Sequence, residues 1–136
     1  MTFCLYEFCK NQEIQSKVHK EIDKILEFSE DGKFSYDMLN DLKYLECCFN
    51  ETVRKYPVAP LLMRETNKDY TFSGTNLTVE KDTLVLIPLL ALHLDPDIFE
   101  NPLEFIPERF LNSPTGNGKS NGSFYLPFGD GPRLVL

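Results

Sequence analysis

The sequence predicts an α+β fold, mainly α, on three observations. Apolar residues recur at three- and four-residue steps through positions 1–56. Between 57 and 92, short apolar runs alternate with turn residues. From 93 to 136 the prolines at 96, 102, 107 and 114 break up any regular element, leaving a meander. The expected organisation of the 136 residues is therefore one unit with a helical part (1–56), a part of small strands (57–92) and an irregular end (93–136).

"MTFCLYEF" is mostly apolar with no cap before it, so it reads as the last turns of a helix begun upstream. "NQEIQSKVHKEIDKIL" is the clearest helix: Ile14, Val18, Ile22, Ile25 and Leu26 keep helical spacing, and Asn11 is the expected N-cap. "SEDGK" (29–33) breaks it. "DLKYLECCFNETVRKY" (41–56) is the next helix, stopped by Pro57, which forces its predecessor out of the α region. At about 100° per residue, Leu42, Leu45, Phe49 and Val53 form one apolar stripe, and Tyr44, Cys47 and Cys48 a second, nearly opposite. Only a thin wet strip is left, Lys43, Glu46 and Asn50, so this helix is expected to be largely buried, with Glu51 and Arg54 inside. "APLLMRE", "YTF", "LTV" and "TLVLIP" are expected as small antiparallel strands separated by "SGTN" and "EKD" turns. "TLVLIPLLAL" (83–92) reads as a buried strand and turn, and "HLDPDIFENPLEFIPERF" as a stretch without regular structure. "NSPTGNGKSNGS" (112–123) reads as a flexible surface insert.

Composition narrows the function classes. With 14 Lys+Arg against 21 Asp+Glu the net charge is −7, which disfavours nucleic acid and anionic membrane as partners, because no basic face could neutralise phosphates. No apolar run approaches the roughly 18 residues of a spanning helix, and the opening lacks a basic signal-peptide region. The chain by itself is expected to be soluble and intracellular. Cys4, Cys9, Cys47 and Cys48 have neither metal-ligand spacing nor a secretory context, so buried reduced thiols are expected.

Three motifs could carry chemistry. "ETVR" alone says little: a Glu-x-x-Arg arises by chance in about half of chains this long. The expected burial of Glu51 and Arg54 changes its meaning, since a buried guanidinium has five donors that one carboxylate cannot satisfy, and a further partner must come from elsewhere. Arg109 in "FIPERF" is a candidate partner on a segment with little else to anchor it. In "PFGDGPR", Gly129 and Gly131 permit positive φ, Pro132 stiffens the turn, Phe128 is an aromatic plug and Arg133 a cation on a rigid loop.

In this order and spacing the three motifs, with "KYPVAPLLMRE" and "ALHLDPDIFENP" between them, resemble the C-terminal part of a cytochrome P-450 of the microsomal, xenobiotic-metabolising type seen in arthropods. The resemblance covers essentially the whole chain and corresponds to roughly the last third of a full-length member. It implies a partial cytochrome P-450 fold ending in a truncated haem-binding loop, and a haem-dependent monooxygenase that inserts one oxygen atom from O2 into an apolar small molecule. The implied partners are that substrate and an electron-donating reductase; the implied location is the endoplasmic reticulum membrane, reached through an N-terminal anchor outside this chain.

Residue by residue, the resemblance implies a structural charged cluster of Glu51, Arg54 and Arg109. It implies haem contacts from Arg64, Phe128, Gly131 and Arg133, the two arginines toward the propionates. It also implies a substrate-facing segment of Val58, Ala59, Pro60, Leu61 and Leu62. The oxygen-activating segment of the family has no counterpart here. The axial thiolate belongs two residues after Arg133, where Val135 stands, and valine has no lone pair to give an iron. Of the only imidazoles, His19 and His93, the second matches a position that the family uses structurally. Three readings follow: a piece of a monooxygenase, a non-enzymatic truncated product of the same gene, and a small acidic interaction module. The first explains the motifs and their order, the second suits this chain taken alone, and the third explains only the composition.

Overall fold

A computed structural model describes residues 1–27, 33–112 and 124–129. The "SEDGK" break (apart from Lys33), the insert from 113 to 123, and Gly131, Arg133 and Val135 lie outside the described residues. The architecture is mainly helical with two small antiparallel sheets, a partial α+β fold of the expected kind.

Helices α1 (Thr2–Lys10) and α2 (Gln12–Leu26) meet at Asn11, and a 3-10 helix at Asp37–Asp41 leads into α3 (Lys43–Lys55). Their apolar faces close on one another. Phe8, Val18, Cys48 and Phe105 form the buried centre, with Cys4, Ile14, Ile22, Tyr44 and Leu45 packed around it. Helix α3 ends at Lys55, and Tyr56 takes φ −131°, as a residue before proline must.

Several expectations are corrected by this packing. Asn11 stands at the N-cap position of α2 but makes no side-chain cap; its Nδ2 instead donates back to the Glu7 carbonyl at 2.9 Å and to Glu7 Oε2 at 3.2 Å. A buried carboxylate with an open lone pair competes successfully for that amide. Phe49 is 47% exposed, since α1 and α2 cover α3 from the Cys48 side and leave the outer part of the other stripe open. Among the thiols, Cys47 and Cys48 are buried, but Cys9 is exposed and Cys4 half-buried.

Strand β1 (Leu62–Glu65) pairs antiparallel with β4 (Leu84–Ile87), and β2 (Tyr70–Thr71) with β3 (Thr78–Val79). The β2–β3 turn uses Gly74 at φ 78°, and the turn into β4 uses Asp82 at φ 62°. Strand β4 is not the buried strand expected: Leu84 and Leu86 are 60% and 53% exposed, because the sheet has only two strands and no layer of described residues covers that face. The stretch after it is α4 (Leu89–His93), whose Leu89 and His93 are fully buried. Its Leu90 N–H donates to the Pro60 carbonyl, joining the helix to the segment before β1. The meander that follows is irregular except for a 3-10 helix at Pro107–Phe110, which proline can open because its missing N–H would have no helical partner there.

Candidate functional site

Glu51 and Arg54 lie on the last two turns of α3, three residues apart, and both are 0% exposed. Arg54 Nε donates to Glu51 Oε2 at 2.7 Å and Nη2 to Oε1 at 2.9 Å, a bidentate pair. The remaining donors find backbone carbonyls: Nη1 reaches His93 at 2.6 Å, and Nη2 reaches Pro102 at 2.9 Å and Glu104 at 3.3 Å. Phe99 covers the guanidinium, 5.3 Å from ring centroid to Cζ.

Arg109 comes to the same carboxylate from the meander. Its Nε donates to both Glu51 oxygens at 3.1 and 3.2 Å, its Nη2 to the Glu100 carbonyl at 3.0 Å, and its side chain is 8% exposed. The Ile106 N–H adds a bond to Glu51 Oε1 at 2.9 Å. One negative and two positive charges leave a net positive cluster. The carbonyls of His93, Glu100, Pro102 and Glu104 take the place of water around that excess charge. The helix and the meander are thus tied through one carboxylate.

His93, 0% exposed, sits beside the cluster. Its Nδ1 is 3.0 Å from the Arg54 carbonyl, and its Nε2 accepts the Leu126 N–H at 3.3 Å. Burial lowers its pKa to about 4; the bond to the Arg54 carbonyl works the other way, and the Arg54 charge adds to the lowering. Tyr125 stacks on the imidazole at 5.6 Å and Phe110 meets Tyr125 at a tilt at 5.0 Å, while the Tyr125 hydroxyl donates to the Asn50 carbonyl at 3.1 Å. Asn50, expected on the wet strip, is half-buried for that reason. Burial pushes the Tyr125 phenol up, and the Glu51 charge pushes it the same way.

The loop at 124–129 turns through a bond from the Gly129 N–H to the Leu126 carbonyl at 3.0 Å, with Gly129 at φ 80°. A Cβ on Gly129 would stand 3.4 Å from Arg64 Nη2. The described end of this loop and the exposed Arg64 of β1 are therefore neighbours, although 65 positions apart in sequence. Arg64 shares its face of the β1–β4 ribbon with Leu62, Val85 and Ile87, by the pairing of Arg64 with Val85 and Leu62 with Ile87. Its Nη1 rests on the Met63 carbonyl at 2.9 Å. Phe128 is 46% exposed, Val58 73% and Leu61 50%; Ala59 and Pro60 are exposed and Leu62 is half-buried.

Two further polar ties went unread in the sequence. Glu7, 1% exposed, accepts the Tyr56 hydroxyl at 2.6 Å and Lys55 Nζ at 2.9 Å. Burial raises its pKa, but those two bonds outweigh burial and the net shift is downward. Glu108 accepts Lys17 Nζ and the Tyr44 hydroxyl, both at 2.8 Å, linking "PERF" to α2 and α3. Burial alone would raise the Glu108 pKa; the same two bonds bring it down. Neither tie has a local spacing signal, since the partners are 48 or more positions apart. Among the described residues no group of three His, Cys, Asp or Glu could hold a metal, and no helix is long and apolar enough to cross a membrane.

The family model described as Cytochrome P450 matches residues 1–134. The chain belongs to the cytochrome P450 family. It is 41% identical over 136 residues to "Probable cytochrome P450 6d5" of Drosophila melanogaster, covering 99% of this chain and 26% of that protein. It is 43% identical over 137 residues to "Cytochrome P450 6a8" of the same fly, covering 100% and 26%. Against "Cytochrome P450 6B7" of Helicoverpa armigera it is 40% identical over 136 residues, again covering 100% and 26%. The chain thus spans about a quarter of the length of the cytochrome P450s it matches.

Whether the residues suit a haem can be asked of the face that carries Arg64. A flat apolar macrocycle with two carboxylates calls for an apolar wall beside a cation. Leu62, Val85 and Ile87 with Arg64, and the close backbone approach at Gly129, suit such a rim. The iron is another matter: the position expected for its thiolate carries Val135.

Proposed function

We propose that this chain forms one wall of the haem site in a monooxygenase that transfers one oxygen atom from O2 to an apolar small molecule, with electrons from a reductase at the endoplasmic reticulum membrane. The observation that carries this reading is the Glu51 carboxylate shared by Arg54 and Arg109, which sets the meander leading to a loop whose turn at Gly129 lies against Arg64. In it, Arg64 and Arg133 hold the haem propionates, Phe128 and Gly131 shape the loop around the macrocycle, and Val58 to Leu62 line the substrate side. Bound haem supplies the oxygen-activating iron. This chain supplies the cations, the apolar wall and the rigid approach to the loop.

For these 136 residues taken alone, the reading is an inert piece. Val135 offers the iron no electron pair, so no thiolate-type chemistry follows from this chain.

A graft tests both statements. Residues 1–129 replace the corresponding stretch of a full-length relative, and the reduced protein is examined with carbon monoxide. The expected result is a retained thiolate-type spectrum, lost when the graft is extended through Val135. A 1–129 chimera that is folded but takes up no haem would sink the haem-wall reading. A thiolate-type spectrum from the 136-residue chain by itself would sink the inert one. A monodisperse 136-residue chain that unfolds cooperatively and ignores haem would favour the acidic interaction module.

A further inference from the structure

The bonds at His93 are more restrictive than burial alone requires. A carbonyl oxygen only accepts, so at 3.0 Å from the Arg54 carbonyl His93 Nδ1 must carry the proton. A backbone N–H only donates, so the Nε2 that meets Leu126 N–H at 3.3 Å must be bare. Both bonds exist together only in the neutral ring, in one tautomer. The ring cannot turn away easily: Phe99 meets it edge-on at 6.1 Å and Tyr125 stacks on it at 5.6 Å. The charged group beside it is Arg54, whose Nη1 donates to the His93 carbonyl at 2.6 Å; the other titratable neighbour is the Tyr125 phenol.

What hangs on that ring is the loop. The Leu126 N–H is held by His93, and the Leu126 carbonyl closes the turn by accepting from the Gly129 N–H at 3.0 Å. Gly129 in turn lies against Arg64. A continuous set of bonds therefore runs from Glu51 through Arg54 and His93 to Leu126 and the turn at Gly129.

We propose that His93 is a positioning residue: as the Nδ1–H tautomer it bridges the Arg54 carbonyl to the Leu126 amide and so sets the depth at which the 124–129 turn meets Arg64. Its importance for catalysis rests on the haem-wall reading above, whereas the bridge itself does not. Both arms of the test are therefore run without haem, so that a failed bridge leaves the haem-wall reading standing and the reverse.

In the full 136-residue chain labelled with 15N, the two imidazole nitrogens of His93 are followed by NMR. The expected result is one protonated and one bare nitrogen at pH 7, with the bare Nε2 coupled to the Leu126 N–H. Two averaged nitrogens titrating near the ordinary histidine value of about 6.5 would overturn the proposal, and an unfolded chain would give that result. The second arm is His93→Asn, which keeps a donor toward Arg54 and loses the acceptor for Leu126. Amide exchange at Leu126 should speed up by about tenfold, while Ile106, held by Glu51, keeps its wild-type rate. Equal acceleration at Ile106 makes His93 a packing residue for the whole region, and unchanged exchange at Leu126 removes the bridge; either outcome overturns the proposal.

Discussion

Glu51 is the residue on which two positive charges converge. Deleting its carboxylate leaves Arg54 and Arg109 buried and facing one another, the situation in which loss of one partner costs about 3–5 kcal/mol. Glu51→Ala should therefore abolish cooperative unfolding of α3 with the meander; an unchanged urea midpoint would refute this. His93 supplies a pH dependence whose sign follows from its lowered pKa. The unfolded ring titrates near 6.5 and the folded one near 4, so between those values the unfolded chain binds more protons. Stability is complete above about pH 6.5 and falls as pH drops toward 4, by about 3 kcal/mol at most. Urea midpoints at pH 7 and pH 5 for wild type and His93→Phe isolate the effect: the wild type should lose the larger part. Burial of Glu51 and Arg54 was legible in the stripes of α3, and so was the need for a third partner. The carbonyls that complete Arg54 were not, because a carbonyl belongs to every residue and leaves no mark on the sequence.

Helix α3 shows how one element is started by another. Its N-cap residue is Leu42, which has no side-chain acceptor. Glu21, on α2, accepts the Tyr44 N–H at 2.7 Å and the Leu45 N–H at 2.9 Å in its place. Glu21→Ala should cost about 1 kcal/mol, read as a lower thermal midpoint with faster exchange at those two amides. The turn at Gly129 is a second local test. Its φ of 80° favours glycine over residues such as alanine, and an added Cβ would also press on Arg64 Nη2. Gly129→Ala should destabilise by about 1 kcal/mol or more, and Arg64→Ala should relieve only the contact, never the backbone strain. A double mutant that recovers wild-type stability would contradict the φ argument. Antiparallel pairing of β1 and β4 could be expected from their apolar runs, but the exposure of β4 could not. Alternation is weak in "TLVLIP", and an apolar run looks the same whether or not a layer lies on it.

Across the whole molecule, apolar side chains remain open on the β1–β4 ribbon. Met63 and Leu86 are paired in register and are 63% and 53% exposed. Such a patch on a chain that forms one part of a cytochrome P450 fold should bind a hydrophobic dye in native buffer. The Met63→Lys, Leu86→Glu double variant, which sets opposite charges across the pair, should lower the dye signal without lowering the thermal midpoint, because neither side chain is in the buried centre. A fall in midpoint would show that the ribbon packs against more than this structure contains.

By itself the sequence determined the first three α-helices and the small strands, where proline ends α3, that Glu51 and Arg54 are buried, and the family to which the order of the motifs belongs. Those are matters of periodicity, backbone geometry and motif spacing, and each is encoded within a few neighbouring residues. Only the tertiary structure decided which carbonyls complete Arg54, that Glu21 caps a helix other than its own, that β4 faces outward, and that His93 joins α3 to the loop at Leu126. The hydrogen bonds among them join groups from 23 to 50 positions apart, and hydrogen bonds to the backbone can be formed by almost any residue that the fold places there.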